Sequence, residues 1–333
     1  MTAHGRVVML EARSRILRGN PLRDSSVREA PVYLPPGYDG RRRFPAIFCL
    51  AGFTGSGRMM LQEQAWSPGI GSRMDRLLAR GKARPAILVM PDCFTRLGGS
   101  QYLNSSATGR YEDHLVEELL PLVDRRFKTL PAREHRGVMG KSSGGYGAIR
   151  LGMRWPEVFG AVVCHSGDMA FEYCYFPDFP KAQRGLERCS GIAGFLRAFD
   201  RAPKKSDEQI GTLNILAMSA AYSPNPGTKP LGFDLPFDPK TGALRSEVWE
   251  RWLLNDPLRM VEGFAASLRM MRLLFLDCGT RDEWNLHLGA RMLAKRLRAL
   301  RIRHVHREFD DGHRGIPYRY DVSLPLLTRA LAP

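Results

Sequence analysis

The segment Gly140-Lys141-Ser142-Ser143-Gly144, followed by Gly145-Tyr146-Gly147, centres one hydroxyl, that of Ser142, in a G-x-S-x-G pattern. Between a strand and a helix, that spacing makes a sharp turn which exposes the serine Oγ at the helix start. The flanking positions are glycine because side chains there collide with neighbouring strands while the central residue holds a strained backbone. The helix N-terminus then favours negative charge developing beside the hydroxyl. The triplet Gly140-Lys141-Ser142 also suits a phosphate-binding loop. That motif, however, requires glycine five residues before Gly140, where His135 stands.

A serine needs a base to remove its proton and an acid to orient that base. Strand-helix sheets that carry this turn supply the acid and then the histidine from later strand ends, in that order. Two segments fit: Gly279-Thr280-Arg281-Asp282-Glu283, after an apolar run, and Asp310-Asp311-Gly312-His313, after the next. Ser142 is thus the expected nucleophile, His313 the base, and Asp282 the group that fixes the imidazole tautomer. Glu283 is the neighbouring alternative, but the shorter aspartate holds its carboxylate more rigidly. The expected oxyanion hole combines the N–H of Ser143 with that of Phe53 in Ala51-Gly52-Phe53-Thr54-Gly55, where Gly52 permits close backbone approach. His165 ends a strand nearby and is a candidate for the pocket lining, with plain packing as its other reading. His304 and His306 lie within a strand and lack a third ligand, so neither metal nor cofactor is expected.

The elements that must hold these residues alternate along the chain. Apolar runs at 30–34, 44–50, 86–90, 137–140, 160–165 and 273–278, with a further strand at 304–309, read as strands. Helical periodicity marks 71–80, 112–127 with Pro121 as a kink, 143–154, 286–300 and 321–331. Strand-helix alternation of this kind predicts a mostly parallel central sheet covered on both faces, with ligands at the carboxyl ends of the strands. Residues 169–265 break the rhythm with prolines, glycines and aromatics and read as an inserted cap within one 1–333 domain. Tyr173, Tyr175 and Phe176 are its candidate pocket walls, or else its own core.

Composition sets the outer bounds. The 333 residues are 44% hydrophobic and 25% charged, the mark of a globular chain. No apolar run reaches the ~18 residues a membrane span needs. The apolar stretch Val7 to Leu10 is too short for a secretory core, which points to a cytoplasmic protein. The six cysteines form no C-x-x-C pair, although Cys174 and Cys189 could join in an oxidising compartment. The net charge is +16 with an isoelectric point near 10.0. No basic stretch interleaves with aromatics as a nucleic-acid stacking platform would, so no nucleic acid is expected as partner.

The same blocks resemble a known family. VYLPPGYDG at 32–40, FPAIFCLAGF at 44–53, GGSQYLNSSATGRYEDHL at 98–115, GKSSGGYGA at 140–148, CGTRDEWNLH at 278–287 and DDGHRG at 310–315 resemble the putative-esterase family of α/β hydrolases. That family includes enterochelin-esterase-like proteins, S-formylglutathione hydrolases, feruloyl esterases and mycolyltransferases. The resemblance implies the α/β-hydrolase fold and the same triad, Ser142, Asp282 and His313, with Phe53 and Ser143 at the oxyanion. A small-molecule ester is the expected substrate, and a homo-oligomer is left open as the one other association. The segment 170–260 matches no member, so the substrate stays open. Hydrolysis through an acyl-enzyme is the expected chemistry. Acyl transfer to another acceptor uses the same groups, and a non-catalytic binding protein of this fold is the third reading.

Overall fold

A computed structural model describes residues 4–333, so the first three residues of the N-terminal segment read above lie outside the description. Eight strands form one sheet. They are β1 (Arg6–Arg13), β2 (Val27–Leu34), β3 (Ala46–Leu50), β4 (Ile87–Val89), β5 (Arg136–Lys141), β6 (Ala161–His165), β7 (Leu273–Gly279) and β8 (Val305–Phe309). The spatial order is β1-β2-β4-β3-β5-β6-β7-β8. From β4 to β8 every pair is parallel, while β1 and β2 form an antiparallel edge. Sequence periodicity missed β1 and the first residues of β2. Their exposed positions carry Val7, Val8, Met9 and Val27 among charges, so inward and outward faces do not separate by polarity.

The parallel strands are buried on both faces, hence their unbroken apolar runs. Phe48, Val138, Val162 and Leu276 face one layer, which contains α3 (Ser143–Arg154) and α8 (Leu286–Ala299). Ile47, Met139, Val163 and Phe275 face the other, under α1 (Ile70–Ala79) and α9 (Tyr320–Ala330). The expected 112–127 helix is present, but its middle, His114–Leu119, is π-helical before α2 (Leu120–Arg126). Pro121 lacks an N–H, and the widened turn absorbs the missing bond instead of a simple kink.

Register aligns the strand ends. Leu50 pairs with Gly140, Lys141 with His165, His165 with Asp277, and Gly279 with Phe309. The loops that follow these residues therefore emerge at one edge of the sheet. Between β6 and β7 the chain makes mostly helices rather than loop: α4 (Phe179–Arg188), α5 (Ile192–Arg201), α6 (Asp207–Tyr222) and α7 (Ser246–Leu253). Ser206 and Gln209 close a capping box at the start of α6. The aromatics of this insert form its core. Phe171 packs on Tyr175 (4.8 Å) and Tyr222 (5.0 Å), Tyr222 packs on Trp252 (5.4 Å), and Tyr146 of α3 joins Tyr222 at 5.8 Å. Such pairs contribute about 0.5–1.5 kcal/mol each beyond area burial, which ties the insert to the helix that follows Ser142.

Candidate active site

Ser142 sits between β5 and α3 with φ 59° and ψ −128°. A non-glycine residue in this region costs on the order of 1–3 kcal/mol and persists only where its surroundings impose it. Here a side-chain carbon on Gly140 would stand 2.3 Å from the Gly144 carbonyl group, and one on Gly144 2.2 Å from the Leu50 oxygen. Both approaches are possible only for glycine. The N–H of Ser142 donates to His165 O (2.9 Å), and its carbonyl accepts from Tyr146 N–H (2.9 Å). The turn is thereby held from two sides.

The loop after β3 lies against this turn. A side-chain carbon on Gly52 would meet the Lys141 oxygen at 3.4 Å and Ser142 Cβ at 3.5 Å. Gly55 N–H closes the loop on Gly52 O, and Phe53 O accepts from Gly99 N–H (2.8 Å). Neither the N–H of Phe53 nor that of Ser143 donates to another described residue. Two unengaged donors beside a serine are what a developing oxyanion requires.

Asp282 and His313 meet from the loops after β7 and β8. Asp282 Oδ2 accepts from His313 Nδ1 at 2.8 Å, and both side chains are buried. The other oxygen, Oδ1, accepts the N–H groups of Trp284 (3.0 Å) and Leu286 (3.4 Å) at the start of α8. Burial opposes the charge on Asp282, but the His313 imidazole and these N–H groups hold its carboxyl below the usual aspartate value. The bond leaves Nε2 of His313 as the free nitrogen. Trp284 packs edge-on against the imidazole at 4.8 Å. Among the hydrogen bonds of the described residues, Asp282 is joined to His313 while the link from Ser142 to His313 is not made. Catalytic hydrogen bonds commonly tighten only around substrate.

Two sequence candidates are placed elsewhere. His165 does not line a pocket. It is fully buried, with Nδ1 on Asp277 and Nε2 on Ser323 Oγ (2.8 Å), and Asp277 is paired with Arg319 (3.0 Å). Ser323, His165 and Asp277 thus have the connectivity of a triad with no access for a substrate. Tyr175 is likewise no pocket wall. It is buried in the aromatic core of the insert, and its hydroxyl donates to Asp168 at 2.8 Å. Tyr173 and Phe176 are 43% and 42% exposed and remain available to a ligand. All six cysteines are free, including Cys174 and Cys189.

Three groups around the site have surroundings that the sequence did not suggest. Glu283 is exposed to solvent, yet its carboxylate accepts the backbone N–H of His313 at 2.6 Å. Asp168, after β6, accepts from Gln101 Nε2 (3.1 Å), Tyr175 and Ser143 Oγ (3.3 Å). Burial pushes its carboxyl above the usual value. Lys141 is pushed down by burial against the opposing charges of Asp282, Glu283 and Asp168. Lys141 fills a variable position of the Ser142 motif, which says nothing of its surroundings. Only position after a strand end marks Asp168 and Glu283 as near the chemistry.

A mostly parallel eight-stranded sheet flanked by helices, with a serine at a strand-to-helix turn, defines an α/β hydrolase. The chain matches the family described as Putative esterase over residues 26–315 and belongs to it. Among curated relatives, an endo-1,4-beta-xylanase/feruloyl esterase of Xylanibacter ruminicola is 30% identical over 141 residues, 40% of this chain and 19% of that protein. Esterase Rv1288 of Mycobacterium tuberculosis is 36% identical over 98 residues, 28% of this chain and 20% of that protein. The chain thus spans about a fifth of the length of these relatives. Two solved structures share the fold. A ferulic acid esterase has TM-score 0.65 at 21% identity and covers 98% of this chain and 99% of its own. An S-formylglutathione hydrolase from Agrobacterium tumefaciens has TM-score 0.62 at 17% identity, covering 100% and 98%. No helix among the described residues is long and apolar enough to cross a membrane.

Proposed function

We propose that the protein hydrolyses carboxylic esters through an acyl-enzyme on Ser142, with His313 as base and Asp282 as its partner. The observation that carries this reading is the Asp282–His313 hydrogen bond at the same sheet edge as the strained Ser142 turn. Ser142 Oγ attacks the acyl carbon while His313 Nε2 takes its proton. The carbonyl oxygen becomes an oxyanion facing the N–H groups of Phe53 and Ser143. Collapse breaks the bond to the leaving oxygen, which receives the proton from His313. Water then attacks the acyl-serine with His313 again as base, and the acid departs with Ser142 restored.

The insert between β6 and β7 is the cap in this proposal, and Tyr173 and Phe176 are its substrate-facing side chains. The relatives named for feruloyl esters support aryl-acyl esters as the first substrates to try. The test is labelling by a fluorophosphonate, followed by hydrolysis of a panel of aryl and alkyl esters. Ser142 should be the labelled residue, and the label should block turnover. Ester turnover that survives complete labelling, or label on another serine, would overturn the assignment.

A further inference from the structure

The +16 charge is not spread evenly over the molecule. Seven segments lie at the edge where the parallel strands begin: residues 39–45, 80–86, 124–135, 154–160, 269–272, 298–304 and 329–333. They hold seventeen Lys and Arg against four Asp and Glu, a balance of +13 within the total of +16. The opposite edge has the reverse sign. The segments following the strands, 51–56, 90–97, 142–145, 166–172, 280–285 and 310–316, hold seven acids against three cations.

Part of the basic excess has a structural reason. Helices of this fold end at the basic edge, and cations in a last turn offset the partial negative charge of a helix C-terminus. Arg125, Arg126 and Arg298 are placed for that role. Arg41, Arg42, Lys82, Arg84, Arg301 and Arg303 are not, because they stand on exposed connections beyond the helix ends. The acids of this edge do not neutralise them. Asp124 is committed to Arg136, Glu134 to Arg133, and Asp39 to the backbone N–H groups of Arg41 and Arg42, which leaves Glu157 as the fourth acid.

Two surface hollows border these segments, the larger of them continuing along α9 and β8. One, of about 810 Å³, is lined by Lys82, Arg84, Arg307 and Arg329, with Asp321 already engaged by Arg73 and Arg76. The other, of about 280 Å³, is lined by Arg43, Arg125, Arg126 and Lys128. Six parallel strands at about 4.8 Å spacing make this face roughly 24 Å wide along the sheet. It is a row of connections rather than a protruding helix or ribbon.

We infer that the face at the strand amino ends docks the protein on an anionic lipid bilayer, with the Ser142 edge turned toward solution. Bilayer charge is spread over a plane, and a broad face of separate guanidinium groups matches it. Arg also engages headgroup phosphate and carboxylate in bidentate fashion. A nucleic acid fits less well. No exposed Phe, Tyr or Trp stands in these segments to stack on bases, and no helix N-terminus is presented to a groove. Met270 is the one large apolar side chain exposed there, so attachment is electrostatic and reversible rather than insertion. The acid-rich opposite edge is repelled by the same surface, which sets the orientation.

The test is co-sedimentation of the intact protein with phosphatidylcholine vesicles, with and without 30% phosphatidylserine. The protein should bind only the anionic vesicles at 50 mM salt and release at 300 mM. Replacing Arg41, Arg42, Arg301 and Arg303 together by Gln should lower the partition coefficient on the order of a thousandfold. Replacing Arg184, Arg197, Arg201 and Lys204 of the insert by Gln removes the same charge and should change it less than about threefold. Melting temperature and ester turnover of both variants confirm that the fold is kept. The inference is overturned by equal binding to neutral vesicles, by equal loss in the two variants, or by no vesicle binding with retention on duplex DNA.

Discussion

Glu283 and His313 are joined through the main chain. The Glu283 carboxylate accepts the His313 backbone N–H at 2.6 Å, while the adjacent Asp282 accepts the imidazole Nδ1–H at 2.8 Å. Consecutive acids from one loop therefore hold the histidine of the next loop at its backbone and at its ring. In the proposed mechanism only the second contact touches the proton chemistry. Asp282→Asn should cost on the order of 10³–10⁴-fold in kcat by stabilising the wrong tautomer. Glu283→Gln keeps an accepting oxygen and should cost less than about tenfold. Kinetics of the two variants on one ester decide between the acids, since the reverse order would exchange their roles.

The strain at Ser142 leads to a coupled expectation for activity and stability. Ser142→Ala should lose at least about 10⁴-fold in turnover with the fold intact. Ser142→Gly should be as inactive yet more stable, because glycine accepts a φ of 59° without penalty. A gain of about 1 kcal/mol, or roughly 1–2 °C in melting temperature, is the expected size. Calorimetry that finds the glycine variant no more stable than the alanine one would show that the turn carries no strain.

Asp256 links the insert to the sheet edge and should make stability depend on pH. It is fully buried and accepts the N–H groups of Ala170 (3.0 Å), Phe171 (2.8 Å) and Leu258 (2.8 Å). Burial pushes its carboxyl up from 3.8 to about 6. Between pH 4 and 6 the folded chain therefore holds a proton that the unfolded chain has released, so stability falls as pH rises through that window and levels off above it. Asp256→Asn removes this ionisation. The difference in unfolding free energy between wild type and variant should change by up to roughly 3 kcal/mol from pH 4 to 7, then stay constant. Urea titrations giving a constant difference across that range would rule out the raised carboxyl.

The exposed and buried aromatics of the insert should separate in a substrate panel. Tyr173→Ala and Phe176→Ala should alter relative rates among acyl groups while leaving the melting temperature nearly unchanged, since both side chains are more than a third exposed. Tyr175→Phe removes a donor to the buried Asp168 and should cost about 1–3 kcal/mol with equal loss on every ester. If Tyr175→Phe instead changes the order of preferred esters, the hydroxyl reaches the substrate and its place in the insert core is not its main role.

The sequence by itself determined the strands that carry the candidate site residues, because each of the parallel ones is buried on both faces and reads as an apolar run ended by glycine, proline or a polar loop. It also marked Ser142, since glycine at 140 and 144 is demanded by contacts of 2.2–2.3 Å that no other residue allows. The order of Asp282 and His313 after successive strands was legible for the same reason: position along one sheet edge follows from local pattern. Tertiary structure alone decided what depends on contacts between distant segments. By sequence position His165 and Tyr175 could line a pocket or pack, and partners 158 and 74 residues away, Ser323 and Gln101, draw them into the interior. Residues 169–265 have loop composition but fold as helices, because their aromatics bury against one another and against Tyr146. The separation of charge between the two sheet edges is likewise invisible along the chain. The basic segments are far apart in sequence, and only parallel strand pairing brings their starting ends to one face.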